Sequence, residues 1–279
     1  MPFFRFRGVS RVTPSGHVAV RDELVLGRRT LHARFRSAPP RTLAAGELLT
    51  AAVCSSNEIY HLVEGWAFQF RDFADGHQAI VDVYTPGEVI GLDAVFRTRP
   101  MEKVMTLTSI VTTVIDAESG LSDLMACRST ALYIAWLLGR RQRRSDHLLA
   151  AISSLDARGR LATMMLDFYT RLRRQSLIAR GSYNLPLTQV QIGSYLGMTV
   201  AHVNRVLRSL RDEQIVNLER HCVTILDLAR LRTLTESSLP DAVASQRSFH
   251  NPRPPLEVRL PPEIGSFQST ELPATSGFP

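Results

Sequence analysis

Between Leu187 and Arg211 the chain reads LTQVQIGSYLGMTVAHVNRVLRSLR. Asn204, Arg205 and Arg208 are spaced to share one face of a helix. The Arg205 fork matches the O6 and N7 acceptors of guanine, a contact worth roughly 1–3 kcal/mol of base discrimination. Asn204 suits an adenine edge or a phosphate, and Arg208, one turn deeper, suits a phosphate. Opposite them, Val203, Val206, Leu207 and Leu210 follow the i, i+3, i+4, i+7 rule and predict a buried stripe. Thr199 is placed to cap this helix.

A shorter helix must come first. Thr188 and Gln191 form a capping box, Ile192 and Leu196 face inward, and Gly197 can end the helix in the left-handed conformation. Two short helices with a three-residue joint cannot lie antiparallel, so the stretch predicts a helix-turn-helix. Its second helix would enter the major groove N-terminus first, presenting Val200, Ala201 and His202 beside Asn204 and Arg205. Thr188 and Gln189 complete the predicted DNA-facing set on the first helix, together with Thr199. QIVNL and CVTIL, joined at Glu219-Arg220-His221, predict a hairpin wing with Arg220 and His221 at its tip. The alternative is an ordinary helical hairpin with a solvated face. Capping box, glycine, stripe and wing together argue against it.

Composition bears on the partner. The 279 residues carry a formal net charge of +7, and Lys103 is the only lysine. From Leu155 to Leu234 there are 12 arginines against 6 acids, a surplus of 6 positive charges suited to phosphate docking. A coding bias toward arginine would give the same overall charge. The three cysteines, Cys54, Cys127 and Cys222, lie far apart, which suits a reducing compartment rather than a disulfide framework. No apolar run is long enough for a membrane span. The start, MPFFRFRGVSRV, lacks an apolar signal region, so a disordered extension or a misplaced start codon is expected there.

Residues 1–35 read as a basic N-terminal extension without periodicity. Residues 36–121 hold short alternating runs (EIYHLV, WAFQFRDF, AIVDVY, VMTLTSIVTTVI) between glycine turns, which predicts an antiparallel sandwich or barrel. Ser122-Asp123 then predicts the start of one long helix over 122–152. Ala131, Ala135, Leu138, Gln142, Ser145, Leu149 and Ile152 keep a seven-residue spacing along it, a weak dimer seam, with packing inside one chain as the alternative. The run Arg140-Arg141-Gln142-Arg143-Arg144 reads as a solvated stretch; facing an anionic effector in the barrel is the other reading. Leu161, Met164, Met165, Phe168 and Leu172 mark the inner face of a further helix over 155–174. Residues 153–234 form the predicted DNA-binding unit. Residues 235–279 form a proline-rich tail expected to be disordered.

At these residues the sequence resembles the Crp/Fnr family of bacterial transcription regulators. SYLGMTVAHVNRVL carries the likeness, in the HVNR form of the helix-turn-helix, and LVEGWA, DGHQAIVDVYTPGEVIGL and LDARGRLATMMLDFYTRL extend it over about residues 40–234. The resemblance implies an α+β architecture: an N-terminal cyclic-nucleotide-binding-like antiparallel β-barrel (jelly roll), a long dimerisation helix and a C-terminal winged helix-turn-helix. It implies a cytoplasmic homodimer on double-stranded DNA, at a pseudo-palindromic site, without catalysis; RNA polymerase is a further partner left open.

Three departures from the family pattern change what is expected. Ala201 stands where members often carry glutamate, so a cytosine acceptor is lost; Val200 and Ala201 can instead touch a thymine methyl. Gly91-Leu92 and Glu102-Lys103-Val104 replace the glutamate and arginine that hold a cyclic nucleotide, so none is expected, and Arg97-Thr98 lies too early to substitute. Residues 1–50 contain no cysteine, which excludes the N-terminal iron–sulfur sensor. No cofactor is implied. Haem on His61, His77 or His147, a redox role for Cys54 or Cys127, and an unidentified effector remain open. The two rival readings are an effector-gated sensor and a non-specific arginine-rich DNA-binding protein.

Overall fold

The alternating runs form strands, because a period of two buries one face of each. The computed structural model describes residues 14–50, 58–76, 78–92 and 103–236. Cys54, His77, the cassette stretch with Arg97-Thr98 and Glu102, and the expected disorder of the tail from 237 lie outside the described residues. One antiparallel sheet has the order β1-β8-β3-β6: β1 (Pro40–Leu43), β8 (Ile110–Asp116), β3 (Glu58–Glu64) and β6 (Val89–Ile90). The other has the order β2-β7-β4-β5: β2 (Leu48–Thr50), β7 (Lys103–Thr106), β4 (Ala67–Asp72) and β5 (Gln78–Tyr84). Leu49, Tyr60, Leu62, Ala67, Tyr84 and Ile110 come from both sheets and share one core. The run VMTLTSIVTTVI is two strands rather than one. It turns at 107–109, where the amides of Leu107 and Thr108 bond the Trp66 carbonyl at 2.7 and 3.3 Å, because the chain must leave one sheet for the other.

The expected long helix over 122–152 is also divided. Helix α2 (Ala117–Ala126) follows β8 directly, and α3 (Arg128–Ser154) starts after an extended Cys127 (φ −89°, ψ 115°). The break lets α2 stay against the sheet through buried Ala117 and Leu124 while α3 takes a new direction. Along α3, Ala135, Gln142 and Ser145 are exposed, and Leu149 is 64% exposed, so much of the predicted seam is uncovered in the single chain.

The segment read as a structureless extension contains helix α1 (Pro14–Arg36). Leu31 and Phe35, four residues apart, pack with Ile59 of β3 and Tyr133 and Ile134 of α3. Gly27 allows the close approach: a Cβ there would stand 2.0 Å from the Ser129 carbonyl oxygen. Ser129 also donates its hydroxyl to the Glu23 carboxylate.

Helix α4 (Ala157–Arg174) begins at Asp156, whose carboxylate accepts the Gly159 amide at 2.8 Å. Its predicted stripe from Leu161 to Leu172 is buried, and Phe168 meets Trp66 edge-on at 5.3 Å. Charged groups join α3 and α4 to the sheets. Asp82 of β5 accepts from Arg141 at 3.1 Å and Arg144 at 2.8 Å; Glu88 accepts from Arg144 at 2.9 Å, from Arg171 and from the Thr85 amide at 2.9 Å. Arg171 also pairs with Asp167 at 3.0 Å. The arginine run is therefore not simply solvated: Arg141 and Arg144 turn inward and their charge is met by the chain's own carboxylates. Burial opposes ionisation of Glu88, but Arg171, Arg144 and the Thr85 amide outweigh it and hold its pKa down to about 2. No helix among the described residues is long and apolar enough to cross a membrane.

Candidate nucleic-acid interface

Helix α5 (Gln189–Leu196) starts at Thr188 with both halves of the capping box present: the Thr188 hydroxyl accepts the Gln191 amide, and the Gln191 side chain accepts the Thr188 amide at 2.8 Å. Gly197 is left-handed (φ 63°, ψ 44°) and turns the chain into α6 (Val200–Asp212). Thr199 caps α6, accepting the His202 amide at 3.3 Å. Val203, Val206, Leu207 and Leu210 are buried together with Ile192 and Leu196 of α5. At roughly 1.5–3 kcal/mol per fully buried side chain, that stripe dictates which face of α6 turns out.

The outward face is the one the spacing predicts. Val200, Ala201, His202, Asn204, Arg205 and Arg208 are all exposed, as are Thr188, Gln189 and Thr199. Arg205 and Arg208 make no ion pair among the described residues. Arg205 shares a shallow groove with Arg160 and His202, between α6 and the start of α4. Cationic donors therefore meet at the N-terminal half of α6, where the helix dipole also favours an anion.

Much of the arginine surplus has other work. Arg158 forks onto Glu213 at 2.6 and 2.8 Å, and Arg230 reaches the same carboxylate at 3.3 Å. Hydrogen bonding from Arg158, then from Ser209, holds the Glu213 pKa below the usual carboxylate range. Arg211 clamps α6 to the wing through the Asn217 side chain at 3.0 Å and the Leu218 carbonyl at 3.2 Å. Arg160 donates to the Leu155 carbonyl at 3.0 Å, and Arg171 is buried.

The wing is β10 (Val216–Glu219) and β11 (Cys222–Ile225), antiparallel, with a third strand that the sequence reading missed, β9 (Ser182–Asn184), paired to β11. Arg220 (φ 47°) and His221 (φ 63°) form the two-residue turn, both left-handed as such a hairpin requires. His221 folds back: its carbonyl accepts the Leu185 amide at 2.7 Å, and its Nδ1 lies 3.3 Å from the Leu185 oxygen. Arg220 is left as the exposed cation at the tip. Asp227 caps the last helix, α7 (Leu228–Glu236), accepting the Arg230 amide at 2.9 Å. The module rests on the second sheet through Ser194 of α5, whose hydroxyl donates to the Gln78 carbonyl at 3.0 Å and accepts the Ile80 amide at 3.2 Å.

Of the other candidates, His147 is exposed. His61 is largely covered by Phe35 and His32, and its Nε2 has no hydrogen-bond partner. Among the described residues no group of three or more histidine, cysteine, aspartate or glutamate side chains is placed to hold a metal. Lys103, next to the cassette position, is paired with Asp72 at 2.8 Å, and Leu92 is buried in the core beneath α1.

A buried-stripe helix with a polar outer face, followed by a wing and preceded by a two-sheet domain, defines a winged helix-turn-helix protein with an N-terminal antiparallel β domain. Residues 159–234 match the Crp-like helix-turn-helix domain, and residues 40–126 match the cyclic nucleotide-binding domain. The "Anaerobic regulatory protein" of Haemophilus influenzae is 24% identical over 197 residues, covering 70% of this chain and 76% of that protein. The "Transcriptional activator protein FnrL" of Cereibacter sphaeroides is 27% identical over 212 residues, covering 68% and 78%. Among solved structures, FixK2 from Bradyrhizobium japonicum superposes with a TM-score of 0.63 at 21% identity, over 71% of this chain and 96% of that one. The chain belongs to the Crp/Fnr family of transcription regulators, which are DNA-binding proteins and not enzymes.

Proposed function

We propose that two copies of this chain bind a pseudo-palindromic DNA site in the cytoplasm and control transcription there. The exposed polar face of α6 on a fully buried stripe carries this reading. Each α6 lies in a major groove, with Arg205 on guanine and Asn204 on an adjacent base or phosphate. Val200 and Ala201 meet a thymine methyl. Thr188, Gln189, Thr199, His202 and Arg208 position the helix on the backbone, and Arg220 reaches the flanking phosphates from the wing. The uncovered seam on α3 supports pairing of the two copies, which sets the half-sites about 34 Å apart. The sandwich over 36–121, the α2–α3 segment and the DNA-binding unit over 153–234 are then its working parts, and RNA polymerase is the partner through which it acts. Genome-wide mapping of bound DNA, followed by motif extraction, tests this. An inverted repeat with one helical turn between half-site centres is expected. Occupancy without any repeat, and a specific-to-random affinity ratio near unity, would replace the reading with non-specific binding.

A further inference from the structure

We propose that α1 closes an anion-binding site against α3, and that its ligand is a small organic polyphosphate. The site is a cavity of about 390 Å³ bounded by α1, the turn from β5 to β6, α3 and the end of α4. That is within the size range of small-molecule sites. Arg28 of α1, Arg140 of α3 and Arg174 of α4 line it together. None of the three makes an ion pair among the described residues.

The charge balance is what calls for a ligand. Arg141 and Arg144 also line the cavity, but Asp82 and Glu88 already answer them. Glu88 is further committed to Arg171. Among the described residues that leaves Arg28, Arg140 and Arg174 with no carboxylate of their own; Arg28 and Arg174 are exposed, and Arg140 is the half-buried one. Burial lowers the Arg140 pKa, and Arg174, Arg144 and Arg171 add repulsion against the pull of Glu88. The half-buried Arg140 guanidinium does not relieve such crowding by losing its proton; an anion between it and the exposed Arg28 and Arg174 relieves it. The same field reaches His32 on the cavity wall, whose pKa is lowered first by burial and then by Arg28 and Arg36.

The rest of the wall is aromatic. Tyr133 and Trp136 stack at 5.6 Å with an interplanar angle of 18°, and the Arg140 guanidinium lies 5.3 Å from the Trp136 ring centre. Forked cations beside a flat apolar surface suit a ligand with phosphates at one end and an organic ring at the other. Arg140 and Arg174 also line the larger groove between α3 and α4, so the two cavities share these cations. The cavity belongs to α1 and α3, and binding there is independent of the reading of α6.

Calorimetry on the full chain tests the site with inorganic pyrophosphate, adenosine 5′-triphosphate and citrate at one ionic strength. Both phosphates should bind, the nucleotide more tightly because of the ring, and citrate weakly. Arg140→Gln and Arg28→Gln should each weaken the phosphates by about tenfold. Thermal unfolding of the unliganded variants should come no lower than the parent, which separates a lost contact from a lost fold. Arg205→Ala should leave binding unchanged; if it abolishes binding, the anion sits on the DNA face and the proposal fails. It also fails if no heat is seen with either phosphate, if citrate binds as well as they do, or if Arg140→Gln and Arg28→Gln bind like the parent.

Discussion

On the proposed reading, single side chains on α6 divide the labour of DNA recognition, and Arg205 is where the division is sharpest. It is exposed, makes no ion pair among the described residues and lies in the N-terminal half of a helix anchored by its buried stripe. Replacing it with alanine should cost about 1–3 kcal/mol on the specific site and much less on random duplex. Arg220→Ala should instead weaken both DNAs alike and reduce the salt slope by about one, because a wing-tip cation meets only phosphate. Titrations of both duplexes at several salt concentrations separate the two patterns. Equal loss on both DNAs for Arg205→Ala would make it a phosphate contact. Those α6 positions were legible in the sequence because the 3.6-residue period of Val203, Val206, Leu207 and Leu210 fixes the opposite face. The fates of Arg158, Arg211 and Arg230 were not legible. Their partners Glu213 and Asn217 are brought to them by the turns that follow α6, and composition counts all arginines alike.

Helix α1 shows why an element can escape a periodicity search. Its burial rests on Leu31 and Phe35, with Leu24 at the margin, while Val25 and Leu26 face solvent. What makes the helix fit is the absence of a side chain at Gly27, which no hydrophobic pattern reports. The division between α2 and α3 was hidden for a similar reason: Cys127 is an ordinary residue held extended by the packing on either side. The strands and the helix-turn-helix, by contrast, carry their own signals in alternation, caps and glycine. Gly27→Val would force α1 away from the Ser129 backbone, and the expected loss is about 1–3 kcal/mol of stability. Arg29→Ala, exposed on the same helix, should stay within about 0.5 kcal/mol of the parent. Urea unfolding measures both, and amide exchange in α1 should quicken only for Gly27→Val. An unaltered unfolding midpoint for Gly27→Val would mean that this contact does not hold α1.

For the whole molecule, two half-buried groups, His61 of β3 and Glu88 of the β5–β6 turn, lead the response to acid. Burial, with a small push from His32, lowers the His61 pKa to about 4 from an ordinary 6.5. The folded chain therefore keeps His61 neutral where the unfolded chain would protonate it, so stability is complete above pH 6.5 and is lost as pH falls from 6.5 to 4. The loss should reach roughly 3 kcal/mol. Glu88 is ionised in the folded state down to about pH 2, against an ordinary 4.5. Its contribution is present above 4.5 and disappears as pH falls toward 2, where Arg144 and Arg171 each lose one of their two carboxylate partners. The two windows run in sequence, so the sandwich should weaken first beneath α1 and then at its junction with α3 and α4. Unfolding free energies measured at one chain concentration should be flat just above neutrality and fall in two stages as the pH is lowered from there. His61→Phe, which keeps a ring beside Phe35, should shrink the stage between pH 6.5 and 4 to the share that His32 contributes and leave the lower one intact. If that variant falls as steeply as the parent between those values, the first stage belongs to another group.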